Sequence, residues 1–213
     1  MKNYFKTRQL DPVSDVTSFW ESNYARGGLS GEGSYGHLYE YKRDYLLDFV
    51  RQHNIKKIVD LGCGDGNQTR EIEVESYVGL DVSRSAIKTC QSLYSTPSKE
   101  FMLVDQYPGA QADLVISLDV IYHLVIDKLY FQYLEQLNSL SSRFILVYSS
   151  NFASKKWGGH VRHRNFVRDL LELHKNVSLK TSARNPNRER SFLRSNIKKR
   201  TSANFYLFEK HEF

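Results

Sequence analysis

The residues best suited to chemistry in this sequence are four aspartates that each follow a short apolar segment. They are Asp60, Asp81, Asp105 and Asp119. Short apolar segments bounded by turn residues are typical of buried strands in a parallel sheet. Because the carboxyl ends of parallel strands share one edge, we expect the four carboxylates to meet there and to accept hydrogen bonds from a ligand.

A glycine-rich turn follows the first of these aspartates. The segment D-L-G-C-G-D-G places its glycines at Gly62, Gly64 and Gly66. Glycine has no Cβ atom, so it adopts positive φ easily and lets a ligand touch the backbone. A dinucleotide-binding G-x-G-x-x-G motif would need a glycine at Asn67, which this sequence lacks. We expect a helix over residues 67–72 whose N-terminal amides point at the ligand.

The pattern that begins at Asp60, an acid and an apolar residue followed by G-x-G-x-G, resembles the first motif of the class I S-adenosylmethionine-dependent methyltransferases. Asp81 follows Asp60 by 21 residues, as a second strand tip should. The resemblance covers about residues 40–151. It implies an α/β fold, namely a Rossmann-like, doubly wound and mostly parallel sheet of about seven strands with an antiparallel last strand. It also implies S-adenosyl-L-methionine as the cofactor.

The same resemblance assigns cofactor contacts. Asp60 and the three glycines would form the turn beneath the cofactor, and Asp81 would accept from both ribose hydroxyls. Asp105 would accept from the adenine amino group. Asp119 opens the segment D-V-I-Y-H-L, which is similar to the post-strand motif of small-molecule methyltransferases and would complete the cofactor site.

His123 is the predicted catalytic base. It follows the fourth strand on the ligand side, and its usual pKa of about 6.5 suits proton removal near neutral pH. The alternative is a histidine that only packs or orients a loop. Tyr122, beside it, is either a substrate contact or a core residue.

A second group of candidate side chains, after the fifth predicted strand, is basic. Two arginines and two histidines could bind a phosphate or carboxylate of the substrate. A solvated basic loop is the alternative, and a metal site is disfavoured because no carboxylate is near in sequence. The group comprises His160, Arg162, His163 and Arg164.

Helices and strands must position these residues. The i, i+3, i+4 spacing of apolar residues predicts helices over residues 38–53 and 126–140, and Ser83 is the expected N-cap of a helix between them. Too few residues separate the third strand from the fourth for a crossover helix, so we expect an open adenine side. The remaining predicted strands cover residues 101–104, 113–118, 144–148, 177–181 and 204–209.

The N-terminal part contains five glycines within residues 27–36. Such a composition suits a flexible linker, but aromatic residues at both borders favour a loop that folds over the cofactor or substrate, with Tyr35 as a contact. We therefore divide the chain into an arm with the glycine-rich loop, residues 1–38, and a methyltransferase domain, residues 39–213. A basic segment, residues 151–202, would lie around the substrate side.

Charge is distributed unevenly along the 213 residues. The net charge is +6, yet residues 151–213 hold 15 Lys and Arg against 5 Asp and Glu. Two cysteines argue against a disulfide scaffold or a zinc site with paired cysteines. No apolar run approaches the ~18 residues of a membrane span, and we expect a cytoplasmic protein.

The function predicted is methyl transfer to oxygen or nitrogen of a small, anionic acceptor such as a phosphorylated or nucleotide-linked sugar. An RNA methyltransferase that uses the basic C-terminal third is the first alternative, and a catalytically silent cofactor-binding module is the second. The sequence leaves the oligomeric state open.

Overall fold

A computed structural model describes residues 15–154, 159–186 and 201–211. Its centre is a seven-stranded sheet of order β3-β2-β1-β4-β5-β7-β6, in which β7 runs antiparallel to β5 and β6 and the other pairs are parallel. This arrangement confirms the predicted Rossmann-like fold with its antiparallel last strand. The strands are β1 (Lys57–Leu61), β2 (Ser76–Asp81), β3 (Lys99–Leu103), β4 (Ala112–Leu118), β5 (Ser141–Ser149), β6 (Val177–Ala183) and β7 (Asn204–Lys210).

Helices cover both faces of the sheet. The central strands β1 and β4 are apolar and buried on both faces, as expected for parallel strands between two helical layers. Helices α2 and α3 pack on one face, and α4 and α5 pack on the other. The helices are α1 (Val16–Ala25), α2 (Gly36–Gln52), α3 (Arg84–Tyr94), α4 (Asp127–Leu140) and α5 (Phe166–Leu173).

Most predicted elements are confirmed, with shifts of a few residues at their ends. Ser83 is the N-cap of α3 and accepts a hydrogen bond from the amide of Ala86. Between β3 and β4 there is only a short 3-10 helix, Val104–Gln106, as the short connection predicted.

The helix predicted over residues 67–72 is wrong. A 3-10 turn, Asn67–Thr69, stands in its place. The chain must return from Gly66 to the start of β2 at Ser76, along the whole length of β1. The side chains of the turn make tertiary contacts that hold it in this form: Asn67 Nδ2 donates to the carbonyl of Ser34, and the hydroxyl of Thr69 bonds that of Tyr77.

Helix α1 is the element that the sequence analysis missed. Asp15 caps it by accepting from the amide of Ser18, and the helix packs against α3. Residues 1–14 of the predicted arm lie outside the described part of the chain. So do residues 155–158 and 187–200 of the predicted basic segment. Within the described ranges, no helix is both long and apolar enough to cross a membrane.

Candidate active site

A cleft lies at the carboxyl ends of β1, β2 and β4. Helix α1 and the glycine-rich loop also contribute side chains to its lining. Of the residues proposed from the sequence, five line it, namely Gly62, Gly64, Asp81, Asp119 and His123. This is the edge at which open parallel sheets bind ligands.

The glycine turn forms the floor of the cleft because side chains would not fit there. Gly62 has φ 88°, and a Cβ atom on it would lie 2.5 Å from a methyl group of Val120. A Cβ atom on Gly64 would collide with the hydroxyl of Ser30. Gly66 closes the turn against Tyr94 and lies away from the cleft. The turn therefore presents bare backbone to whatever occupies the cleft.

Asp81 connects the end of β2 to the glycine turn. Its carboxylate accepts from the amide of Gly64 at 2.9 Å and from the amide of Ser83 at 2.9 Å. Burial raises the pKa of Asp81, while these amide donors oppose the rise. Each carboxylate oxygen has a second lone pair, so Asp81 can also accept from hydroxyl groups in the cleft.

Asp60 lies behind the turn, outside the cleft lining. One of its oxygens accepts from the hydroxyls of Tyr77 at 2.7 Å and Thr69 at 3.3 Å. The other, Oδ1, is buried and has no hydrogen-bond partner among the described residues. Burial raises the pKa of Asp60 to about 6. Its local role is to fix the turn through Thr69 and Tyr77.

Asp105 is exposed in the 3-10 helix after β3, and it does not line the cleft. Its neighbour Val104 does. The predicted contact of Asp105 with adenine therefore stays a prediction at the rim of the cleft.

Asp119 forms a buried ion pair that the sequence analysis did not anticipate. It adopts φ 63° at the end of β4, and Lys42 of α2 donates to its Oδ2 at 2.5 Å. The hydroxyl of Tyr122 donates to Oδ1 at 2.9 Å. Lys42 is fully buried. The signal in the sequence is its helical spacing from Leu38 and Leu46, which puts a lysine on the apolar face of α2.

His123 lies in the wall of the cleft with one ring nitrogen engaged. Its Nδ1 is 3.0 Å from the carbonyl oxygen of His160, which assigns the proton to Nδ1. Trp20 contacts the ring edge-on at 4.9 Å, and His160 stacks on it at 5.1 Å. Burial lowers the pKa of His123 to about 4, so the ring is neutral at pH 7.

The two arginines of the predicted anion clamp face a carboxylate of the protein instead. Arg162 and Arg164 contact Asp127 at the start of α4, at 2.8 and 2.5 Å. Both also donate to the carbonyl of Val125. Neither is among the described residues that line the cleft. These bonds fasten the chain before α5 to the start of α4, so both guanidinium groups already have partners within the protein.

The two histidines of that group are packed against aromatic rings. His160 stacks on Phe19 at 4.7 Å, and His163 stacks on Phe152 at 4.6 Å. His163 also bonds the hydroxyl of Ser150 at 2.6 Å. Burial lowers the pKa of both rings. Within the described residues, no cluster of three or more His, Cys, Asp or Glu could hold a metal ion.

Asp65, in the middle of the glycine turn, binds the glycine-rich loop. It accepts from the hydroxyl of Tyr35 and from the amide of Ser30, each at 2.8 Å. In return, the amide of Asp65 donates to Ser30 Oγ at 2.9 Å. Tyr35 therefore fastens the glycine-rich loop to the glycine turn and does not line the cleft. Ser30 of the same loop does line it.

Helix α1 contributes side chains to the cleft that sequence reasoning missed. Val16, Trp20 and Tyr24 line it, at the i, i+4, i+8 spacing of one helix face. Glu21 holds α1 in place, accepting from Ser83 Oγ at 2.7 Å and Ser85 Oγ at 2.6 Å. The signal that could have found this helix was the pair of aromatic residues four positions apart.

The lining suits a cationic ligand. It contains the carboxylates of Asp81 and Asp119 and, among the described residues, no Lys or Arg. Both the sulfonium and the ammonium group of S-adenosylmethionine are cations. The bare glycine turn, the carboxylate of Asp81 and this charge balance therefore fit the cofactor.

Comparison with known proteins agrees with this geometry. A family model described as "Methyltransferase domain" matches residues 59–138. The small RNA 2'-O-methyltransferase of Gallus gallus is 27% identical over 107 residues, covering 41% of this chain and 28% of that protein. The phthiotriol/phenolphthiotriol dimycocerosates methyltransferase of Mycobacterium leprae (strain TN) is 32% identical over 72 residues, covering 30% of this chain and 27% of that protein.

Among solved structures, the chain is similar to the N-methyltransferase NodS from Bradyrhizobium japonicum WM9 in complex with S-adenosyl-l-homocysteine. The TM-score is 0.70 at 16% identity, covering 93% of this chain and 100% of that one. The glycine turn, the strand order, the cation-compatible cleft and these matches together support a class I S-adenosylmethionine-dependent methyltransferase domain, which the family model matches over residues 59–138.

Proposed function

We propose that this chain transfers a methyl group from S-adenosylmethionine to oxygen or nitrogen of a small acceptor, with His123 as the base. The observation that carries the proposal is the placement of His123, a neutral histidine in the wall of the cofactor cleft with Nδ1 already bonded. When bound, S-adenosylmethionine supplies a methyl group on a sulfonium, which a nucleophile attacks in line.

His123 Nε2 is the atom that accepts the proton. Because Nδ1 donates to the carbonyl of His160, Nε2 carries the lone pair. Trp20 and His160 fix the plane of the ring. A hydroxyl or amine of the acceptor can therefore lose its proton to Nε2 as the methyl group is transferred.

The acceptor that we favour is still a small anionic molecule of the phosphorylated or nucleotide-linked sugar type. The cleft lining itself has no Lys or Arg among the described residues, so the reacting end of the acceptor must be neutral. Its anionic group would contact the basic C-terminal third from outside the cleft. The excess of 15 Lys and Arg over 5 Asp and Glu in residues 151–213 supports this division.

An RNA acceptor is the second candidate. The similarity to a small RNA 2'-O-methyltransferase favours it, as does the same basic third of the chain. A catalytically silent cofactor-binding module is less well supported, because a protein that only binds the cofactor needs no neutral histidine in the cleft.

The test measures transfer of labelled methyl from S-adenosylmethionine to a panel of phosphorylated sugars, nucleotide-linked sugars and short RNAs. We expect turnover with a small acceptor and a loss of ~10²-fold or more in maximal rate for His123→Ala, with unchanged donor affinity. His211→Ala, an exposed histidine, is the matched control.

The pH profile checks the same base. The pKa of His123 is lowered from 6.5 to about 4, so the ring loses its proton well below neutral pH. The rate limited by His123 should be level from about pH 5.5 to pH 8 and should fall only as the pH approaches 4. An acidic limb centred near 6.5, or full activity in His123→Ala, would contradict the assignment.

A further inference from the structure

Lys42 of α2 is a buried charge that the proposed chemistry does not use. Its side chain is 0% exposed, and it is not among the described residues that line the cleft. Its ammonium donates to Asp119 Oδ2 at 2.5 Å and lies 5.0 Å from the ring centre of Tyr148. Taking a cation out of water is costly even when the cation is paired, so packing alone does not account for a lysine at this position.

Asp119, the partner of Lys42, holds a bend of the chain at the end of β4. Its φ of 63° lies in the left-handed region, which residues other than glycine adopt mainly where their surroundings hold them there. The hydroxyl of Tyr122 donates to its Oδ1 at 2.9 Å, and its amide donates to the carbonyl of Tyr148 at 2.9 Å. With Lys42 on Oδ2, the ion pair joins helix α2 to the first residue after β4.

The bend at Asp119 leads into the turn that carries His123. This turn is the short 3-10 helix Ile121–His123. Tyr122 stands in its middle, so its hydroxyl ties the turn back to the Asp119 carboxylate in addition to the main chain. A displacement of that carboxylate would therefore move the turn and the ring of His123 with it.

A second set of bonds ties the same turn to the segment before α5. The amide of Arg162 donates to the carbonyl of Tyr122 at 2.7 Å, and Nδ1 of His123 lies 3.0 Å from the carbonyl oxygen of His160. A hydrogen bond weakens steeply as its length and angle depart from the optimum, so the Nδ1 bond needs the turn at its present place. Lys42 supplies the tie from the turn to α2.

We propose that Lys42 is a positioning residue for His123. Through Asp119 and Tyr122 it holds the turn where Nδ1 meets its carbonyl acceptor, which leaves the lone pair of Nε2 for the proton of the methyl acceptor. This inference rests on the proposed function, because it takes His123 as the base. Lys42 acts from behind Asp119, outside the lining of the cleft.

The test reads the ring of His123 directly. NMR of the full chain with isotope-labelled histidine rings, at pH 7 and without added ligand, shows which ring nitrogen carries the proton. The His123 signals are those absent from His123→Gln. In the unaltered protein Nδ1 should carry the proton. In Lys42→Met, whose side chain is similar in length but uncharged, this single state should be lost and both tautomers should be populated.

Two further variants separate positioning from a general loss of structure. Lys42→Arg keeps a cation with hydrogen-bond donors, so it should restore the Nδ1-protonated state at least in part. Lys88→Met, at an exposed lysine of α3, should leave the His123 signals unchanged. The ring of His174, which bonds Asn138 of α4 at 3.0 Å, is an internal control whose signals should stay the same in every variant.

If Lys42→Met fails to fold, Tyr122→Phe decides the matter. It removes only the hydroxyl that joins the turn to Asp119, so the same mixture of tautomers is expected. A ring still protonated wholly at Nδ1 in Tyr122→Phe would then overturn the inference.

The outcomes separate this inference from the function on which it rests. A His123 ring protonated at Nε2 in the unaltered protein would reject the base of the proposed function, and the role of Lys42 with it. A ring protonated at Nδ1 both in the unaltered protein and in folded Lys42→Met would reject the role of Lys42 alone.

Discussion

At the scale of single residues, the ion pair of Lys42 and Asp119 sets the charge of the cleft. Lys42 is buried behind Asp119 and within 5.0 Å of the ring centre of Tyr148. Its cation offsets the charge of Asp119, so Asp81 is the uncompensated carboxylate of the described lining. The negative character of the cleft is therefore strongest at the end of β2.

Asp81→Ala should weaken cofactor binding by about 1.5 to 3 kcal/mol, the range for hydrogen bonds to a charged group. The variant removes the carboxylate predicted to accept from the ribose and leaves the amides of Gly64 and Ser83 without their partner. Calorimetric titration with S-adenosylhomocysteine measures the change.

Asp105→Ala provides the control for this prediction. Asp105 is exposed and outside the cleft lining, so its removal should cost clearly less than that of Asp81. Equal losses for the two variants, or none for Asp81→Ala, would argue against Asp81 as the ribose contact.

At the scale of elements, α1 lines the cleft and is fastened to the start of α3. Glu21 accepts hydrogen bonds from Ser85 and Ser83, which lower the pKa of Glu21 to about 2. A carboxylate also interacts favourably with the N-terminus of a helix. Because this pKa lies far below its usual value of 4.5, the contact is present throughout the neutral range and is lost only as the pH falls towards 2.

Glu21→Ala should speed release of the cofactor product by about 5-fold or more. The variant takes away the acceptor for three donors, namely the amide and hydroxyl of Ser85 and the hydroxyl of Ser83. Stopped-flow fluorescence can follow S-adenosylhomocysteine release, since Trp20 of α1 lines the cleft.

Glu40→Ala, on the exposed side of α2, is the control and should release the product at the unaltered rate. An identical release rate for Glu21→Ala would mean that α1 does not limit access to the cleft.

At the scale of the whole molecule, we propose that charge separates the cofactor from the acceptor. The cleft is acidic, whereas the chain as a whole carries +6 and its last third is basic. In the described residues, Arg162 and Arg164 of that third are bound to Asp127 rather than facing the cleft. We therefore expect an anionic acceptor to meet basic residues of this third outside the cleft lining.

Salt dependence distinguishes the two acceptor classes. For single-stranded RNA, the logarithm of the binding constant falls with the logarithm of the salt concentration, with a slope of about −0.7 for each phosphate contacted. An acceptor held through one phosphate therefore shows only a shallow slope. We expect RNA binding by this chain to be weak and use of the small acceptor to respond little to salt.

Neutralising the cations Arg188, Arg190, Lys198 and Lys199 should leave small-acceptor methylation within about 2-fold, since one phosphate needs only a local contact. Neutralising Lys88 and Arg51, outside the basic third, is the control. Tight RNA binding with a steep salt slope that the first set abolishes would favour the RNA methyltransferase.

Local pattern was sufficient to predict the strands and the glycine turn, and the resemblance carried by that turn implied the sheet architecture and the cofactor. Apolar runs mark buried strands, and glycine spacing determines where the backbone can take positive φ, so both features are readable over a few residues. The same local reasoning failed at residues 67–72, because tertiary contacts of Asn67 with Ser34 and of Thr69 with Tyr77 decided that segment.

Tertiary structure decided the contacts between residues distant in the chain. Lys42 and Asp119 are 77 residues apart, and Arg164 meets Asp127 across 37 residues. A lone lysine or arginine carries no sequence signal for its partner, because the fold alone brings the two groups together and sets their burial. For that reason the motif resemblance pointed to the cofactor from the sequence, whereas the buried Lys42 and the engaged arginines emerged only from the packed structure.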